Sequence, residues 1–193
     1  MSNFAELVAS RICHDLISPV GAISNGVELL AMTGAQSEEL QLVNDSAQNA
    51  SGRVRFFRVA FGAANPEQVI SSAEIKGILA DLAGDRLQYD WQAKGTFPRP
   101  ALRACFLSIL CIERALPRGG YLFIQEKEDT WHIQANGPIL KIDESLWHPM
   151  SQGRPADEIT PATVSFGLLP MAISDLQRTL DIQLSESQIS ISF

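Results

Sequence analysis

Over the first 62 residues the apolar positions recur at helical spacing. They fall at Phe4, Val8, Ile12, Leu16, Val20, Ile23, Val27 and Leu30, every step three or four residues, which predicts an amphipathic helix. After a break at Thr33-Gly34-Ala35-Gln36-Ser37, a second series runs through Leu40, Val43, Ala47, Ala50, Val54, Phe57 and Phe61. Its steps alternate three and four, the spacing of a bundle seam. Ser37 followed by Glu38 and Glu39 reads as an N-cap with acid in the first turn, and Gly62 as a stop. Two helices of roughly 25 to 30 residues joined by a short loop make an antiparallel hairpin about 40 Å long. Pairing with a second copy into a four-helix bundle buries both stripes; packing on the rest of the same chain is the alternative.

Residues 63–68 read as a linker, and beyond them helix and strand signals alternate. Ser72 to Gly84 is a short helix pattern, Leu87 to Lys94 is strand-like, and Pro100 to Leu116 is a strongly apolar helix. Tyr121 to Lys127 and Thr130 to Ala135 form a predicted hairpin around Glu128-Asp129. Thr163 to Leu180 reads as a helix, followed by a closing hairpin of Ile182 to Leu184 and Ile189 to Phe193. The fold class expected is α+β: a helical hairpin over 1–64, then an α/β sandwich over 65–193 with one helical layer on one sheet.

Composition narrows the function classes. The 193 residues are 46% hydrophobic and 19% charged, an ordinary globular balance. A net charge of −7 disfavours binding to nucleic-acid phosphates. Residues 1–64 carry 4 basic against 6 acidic side chains and residues 65–193 carry 11 against 16, so most excess acid lies away from the hairpin. The longest uncharged stretch, Ile159 to Ser174, is interrupted by Pro161 and Pro170, so no membrane span is expected. The start of the chain lacks the basic-then-apolar layout of a signal peptide. Three cysteines without a CxxC pair argue against a disulfide framework or zinc site, and a cytoplasmic protein is expected.

Only three histidines are present, His14, His132 and His148. His132 lies in a predicted strand and His148 in an irregular stretch before Pro149, where structural or surface roles fit best. His14 points almost directly away from the apolar seam of its helix. Its neighbours on that outward face are Arg11, Ser18, Gly21 and Asn25, with Leu7 two turns earlier. Small side chains there leave room for another protein to approach. Pro19 lies five positions on, where a bend or loosening of the helix is expected.

Ile12-Cys13-His14-Asp15-Leu16-Ile17-Ser18-Pro19 resembles the H-box of two-component histidine kinases. Leu116-Pro117-Arg118-Gly119-Gly120 resembles the end of the kinase N-box helix and the strand entry after it. Ala135-Asn136-Gly137-Pro138 resembles the first glycine box and Phe166-Gly167-Leu168-Leu169-Pro170-Met171-Ala172 the second. The departures are informative. The stretch from Pro100 to Leu116 contains no asparagine, and Cys111 or Ile112 stands in the equivalent place. The adenine-reading aspartate of the kinases would fall at Ala135, and the second box keeps Gly167 without its neighbouring glycines. A kinase-like chain of this kind is similar to the ChpT-like histidine phosphotransferases, across its whole length.

That resemblance implies a homodimer that relays phosphoryl groups between the receiver domains of a hybrid histidine kinase and of response regulators, without ATP. His14 would be the phosphoacceptor: imidazole is nucleophilic and partly neutral near pH 7. Mg²⁺ would come with the partner receiver, with no intrinsic cofactor or metal. Asp15 either orients the imidazole or takes its proton, or is a solvated helix-surface acid. Ser18 contacts the phosphoryl group or is an ordinary surface serine, and Arg11 helps neutralise phosphate. Leu7, Arg11, Gly21 and Asn25 make the expected docking surface, with the second domain as a further wall. A degenerate kinase that still binds ATP and a non-catalytic dimeric scaffold are the alternatives.

Overall fold

The computed structural model describes residues 4–33, 37–84 and 86–193. Helices α1 (Phe4–Thr33) and α2 (Ser37–Phe61) form the hairpin. Residues 34–36 of the loop expected between them lie outside the described residues, and α2 begins at Ser37 itself. Strand β1 (Val69–Ser71), helix α3 (Ser72–Leu82), strands β2 (Leu87–Trp91) and β3 (Thr96–Pro98) and helix α4 (Arg99–Ala115) follow. Then come β4 (Gly120–Lys127), β5 (Thr130–Asn136), α5 (Glu144–Ser151), a single 3₁₀ turn at Pro161–Thr163, α6 (Val164–Asp175), β6 (Asp181–Leu184) and β7 (Gln188–Ser192). The main sheet has the order β2-β4-β5-β7-β6, parallel only between β2 and β4, and β1 and β3 pair separately. Among the described residues no helix is long and apolar enough to cross a membrane.

Alternation in the strands decides which face carries helices. Leu122 and Ile124, Trp131, Ile133 and Ala135, and Ile189 and Ile191 point to one side and are buried. Between them stand Gln125, His132, Gln134, Ser190 and Ser192, only partly covered. This is the two-layer sandwich that helices interleaved with antiparallel strands predict. Glu128 and Asp129 take positive φ in the β4–β5 turn, as a two-residue hairpin requires.

The hairpin does not stand apart from this sandwich. Phe56, Phe57, Val59 and Ala60 of α2 belong to the same buried cluster as α4 and the sheet, and Phe56 lies 4.6 Å, ring centre to ring centre, from Phe106. Phe4, Leu7, Val8 and Ile12 pack against that cluster from α1. At the end of α2, Arg99 donates to the carbonyls of Arg58 (2.7 Å) in its last turn and of Ala63 (3.2 Å) just beyond it. A side chain at Gly62 would collide with the Arg58 carbonyl, 2.4 Å from where its Cβ would lie. The other half of the seam is uncovered: Val20, Val27, Leu40 and Val54 are all exposed. The base of the hairpin therefore packs on its own chain, while the seam residues Val20, Val27, Leu40 and Val54 stay exposed.

Four elements depart from the sequence reading. Helix α5 forms where an irregular stretch was expected, its N-cap Asp143 accepting from the Ser145 amide. Strands β1 and β3, three residues each, carry no periodic signal. Helix α6 stops well before Leu180, because Gln177 turns to positive φ (57°) and feeds the chain into β6. Helix α1, in contrast, continues through Pro19 as one helix. Proline has no amide hydrogen, so the Asp15 carbonyl four residues earlier loses its usual donor.

Candidate functional site

The outward face of α1 presents His14, whose side chain is 84% exposed, beside Asp15, which is only 10% exposed. His14 Nδ1 lies 3.0 Å from Asp15 Oδ1. The other carboxylate oxygen, Oδ2, accepts from Arg11 Nε at 2.9 Å and faces Arg53 Nη1 of α2 at 3.7 Å. A carboxylate between two guanidinium groups is an acceptor, so the nitrogen facing it carries the hydrogen. That assigns the proton to Nδ1 and leaves the Nε2 lone pair free. Asp15 is largely buried and held by these contacts, unlike a solvated surface acid.

The residues expected on this face divide. Ser18, Gly21 and Asn25 are exposed, and a Cβ added at Gly21 would meet nothing within 4 Å. Leu7 is a correction: it is half-buried and packs on the core, because α/β elements cover the base of α1. Arg11 lines the same groove as His14, with its Nε donating to Asp15 and its Nη1 to the Ala162 carbonyl (3.1 Å). His132 sits half-buried in β5, and His148 is exposed with its Nε2 3.0 Å from Gln152 Nε2. Cys105 and Cys111 are buried free thiols, burial pushing Cys111 up to about 12. Among the described residues no three His, Cys, Asp or Glu side chains gather as a metal site would need.

His14, Asp15 and Ser18 line a groove of about 850 Å³ between the hairpin and the sandwich. Asp45, Asn49 and Arg53 of α2 complete the hairpin side. Arg86, Arg114 and Lys141 place three cations on the opposite wall, with Asp143 near them. Sequence reasoning missed these cations, which come from three separate segments. The α2 residues had a signal: positions 45, 49 and 53 recur every fourth residue and so share one helical face.

Behind the groove, Tyr89 donates to Glu113 Oε1 at 2.5 Å. Burial pushes the Glu113 carboxyl above its ordinary range, more than the Tyr89 hydrogen bond and the charges of Arg53 and Arg11 pull it down. Folding therefore favours protonated Glu113, and stability from this group falls as pH rises from the ordinary carboxylate range through the raised value. Glu113→Gln keeps a polar partner for Tyr89 without ionisation. The variant gains stability over the unsubstituted chain above that window and none below it. Urea unfolding at a series of pH values checks this; parallel profiles would refute it.

Where the sequence resembles the ATPase boxes, the interior is filled. Cys111 is wholly buried, and Ala135 is buried in β5. A Cβ at Gly167 would lie 2.5 Å from the Phe4 ring, and Trp147 packs edge-on against Phe166 with ring centres 5.3 Å apart.

Comparisons with known proteins agree with this geometry. Residues 72–188 match the family model of the histidine phosphotransferase C-terminal domain. Protein phosphotransferase ChpT of Brucella abortus (strain 2308) is 34% identical over 169 residues, covering 84% of this chain and 81% of that protein. A bacterial phosphotransferase solved at 1.7 Å superposes with a TM-score of 0.82 at 28% identity, over 100% of this chain and 97% of the other.

Proposed function

Because the chain belongs to the histidine phosphotransferase family and is a phosphotransferase, we propose that it relays phosphoryl groups between receiver-domain aspartates through His14. The observation that carries this reading is the exposed imidazole whose Nδ1 is held by Asp15 Oδ1 at 3.0 Å. Nε2 attacks the phosphorus of a receiver's aspartyl phosphate in line. The N–P bond forms as the P–O bond to the aspartyl carboxylate breaks, and the carboxylate leaves with the electron pair. The cationic ring keeps its Nδ1 proton, stabilised by Asp15. The reverse step, on a second receiver, returns the phosphoryl group to an aspartate. Positioning and charge neutralisation dominate such transfers, and the receiver supplies Mg²⁺.

Ser18, Gly21 and Asn25 provide the docking surface on α1, and the wall carrying Arg86, Arg114 and Lys141 suits an acidic receiver surface. The reading includes independence from ATP. Support comes from the wholly buried Cys111 in the N-box place and from the Phe4 ring over Gly167, which fill the space that the kinase boxes use for ligands. Incubation with a phosphorylated receiver should place acid-labile, base-stable phosphate on His14. Calorimetric titration with Mg-ATP should give no saturable heat. Phosphate elsewhere in the chain sinks the mechanism, and saturable ATP binding sinks its independence from the nucleotide.

The proposal extends to a homodimer. Val20, Val27, Leu40 and Val54 form the uncovered half of the seam, which a second hairpin would bury in a four-helix bundle. Sedimentation of the full chain should return twice the monomer mass, and a Val20→Glu/Val27→Glu double variant a single one. A monomeric unsubstituted chain would rule the bundle out.

A further inference from the structure

We propose that Arg53 is a positioning residue for His14, acting through Asp15 from the neighbouring helix. The proposal rests on the phosphotransfer reading for its kinetic test only; the geometric test stands without it.

Asp15 has two oxygens with different duties. Oδ1 faces His14 Nδ1, and Oδ2 takes the two guanidinium groups. Arg11 is one turn away on the same helix, so by itself it fixes Asp15 relative to α1. Arg53 comes from α2 and ties the carboxylate to the second helix of the hairpin. It is itself aimed from one turn earlier, its Nε donating to Asn49 Oδ1 at 3.4 Å. Asp15 is largely withdrawn from water, so a charge at 3.7 Å acts on it more strongly than across an exposed pair.

Glu113 of α4 is the acid that competes for Arg53. Both residues line the groove and also a second cavity of about 480 Å³ behind it. Glu113 is satisfied by the Tyr89 hydroxyl at 2.5 Å, and burial pushes its carboxyl up. The ion pair that Arg53 makes is with Asp15, at 3.7 Å. Without that guanidinium, Asp15 has one cation instead of two and turns more freely about its side-chain bonds. The imidazole then visits the form with hydrogen on Nε2, in which the reacting nitrogen has no lone pair to offer.

The test uses the full chain with Arg53→Gln, which removes the charge, and Arg53→Lys, which keeps it. Free histidine in water favours hydrogen on Nε2, so hydrogen on Nδ1 reports the Asp15 contact. Nitrogen-detected NMR of the imidazole rings resolves the two forms. With three histidines in the chain, a His14→Gln sample assigns the signal. In the unsubstituted protein His14 should carry hydrogen on Nδ1; in Arg53→Gln the population should shift toward Nε2, and Arg53→Lys should restore it. Single-turnover transfer at saturating phosphorylated receiver should slow by about ten- to a hundredfold in Arg53→Gln, more than any change in receiver Kd accounts for, and recover in Arg53→Lys. An unchanged tautomer in Arg53→Gln, or a slowing wholly explained by a weaker Kd, overturns the assignment. If the unsubstituted chain takes no phosphate, the phosphotransfer reading fails, and the tautomer shift still decides the role of Arg53.

Discussion

With His14 replaced by glutamine, transfer from a phosphorylated receiver should fall by at least about a thousandfold, while the chain keeps its unfolding midpoint. The side chain is 84% exposed, so its removal opens no cavity and disturbs little packing. What it removes is the nucleophile. Glutamine matches the reach of imidazole, but its amide nitrogen is conjugated with the carbonyl and offers no lone pair. No other histidine takes over, because His132 lies on the sheet and His148 on α5, and neither lines the groove. Transfer at the unsubstituted rate, measured by label moving from receiver to receiver, would end the mechanism outright.

Phe56→Ala should cost about 3–5 kcal/mol, measured by chemical denaturation. Set against the roughly 5–15 kcal/mol that holds a typical domain folded, this is the largest effect on stability expected here. Phe56 is fully buried, with ring contacts to Phe57 and to Phe106 of α4. The truncation therefore hollows the junction between hairpin and sandwich. Because both parts share that cluster, fluorescence from Trp91 and Trp131, which reports the sandwich, and helical circular dichroism, which is weighted toward the hairpin, should still report one midpoint. A hairpin that melted separately from the sandwich would show that the shared cluster does not couple them.

The long helices were legible because their periodicity extends over many turns, and the β4–β5 hairpin because two alternating runs flank a polar pair. Short elements were not. Three residues in β1 or β3 cannot show a period, and α5 hides its start behind Asp143 and carries Pro149 within eight residues. The apolar spacing of Leu176 and Leu180 suggested more helix than exists. Arg178 instead binds Asp129 and the Phe193 carbonyl, tying the segment after α6 to the sheet. His14 itself was legible from its helix face and its motif. Its supporting charges were only half so, since Arg11 lies one turn from Asp15 on the same helix, whereas Arg53 meets Asp15 only once α2 folds back on α1. Leu7 was misjudged for the same reason: a helical wheel shows direction, not what another segment brings to cover that side.

The Phe4 ring seated over Gly167 joins the first turn of α1 to α6. With Phe56 gripping α4 at the end of α2, the hairpin is fastened to the sandwich at two points. The jaws of the groove therefore have a set gauge. Fixing the two parts together lowers the conformational entropy that a partner's contacts would have to offset. Discrimination among partners then falls to thickness and contour, and widening the gauge by repacking Phe4 would loosen selectivity without touching any residue a partner meets.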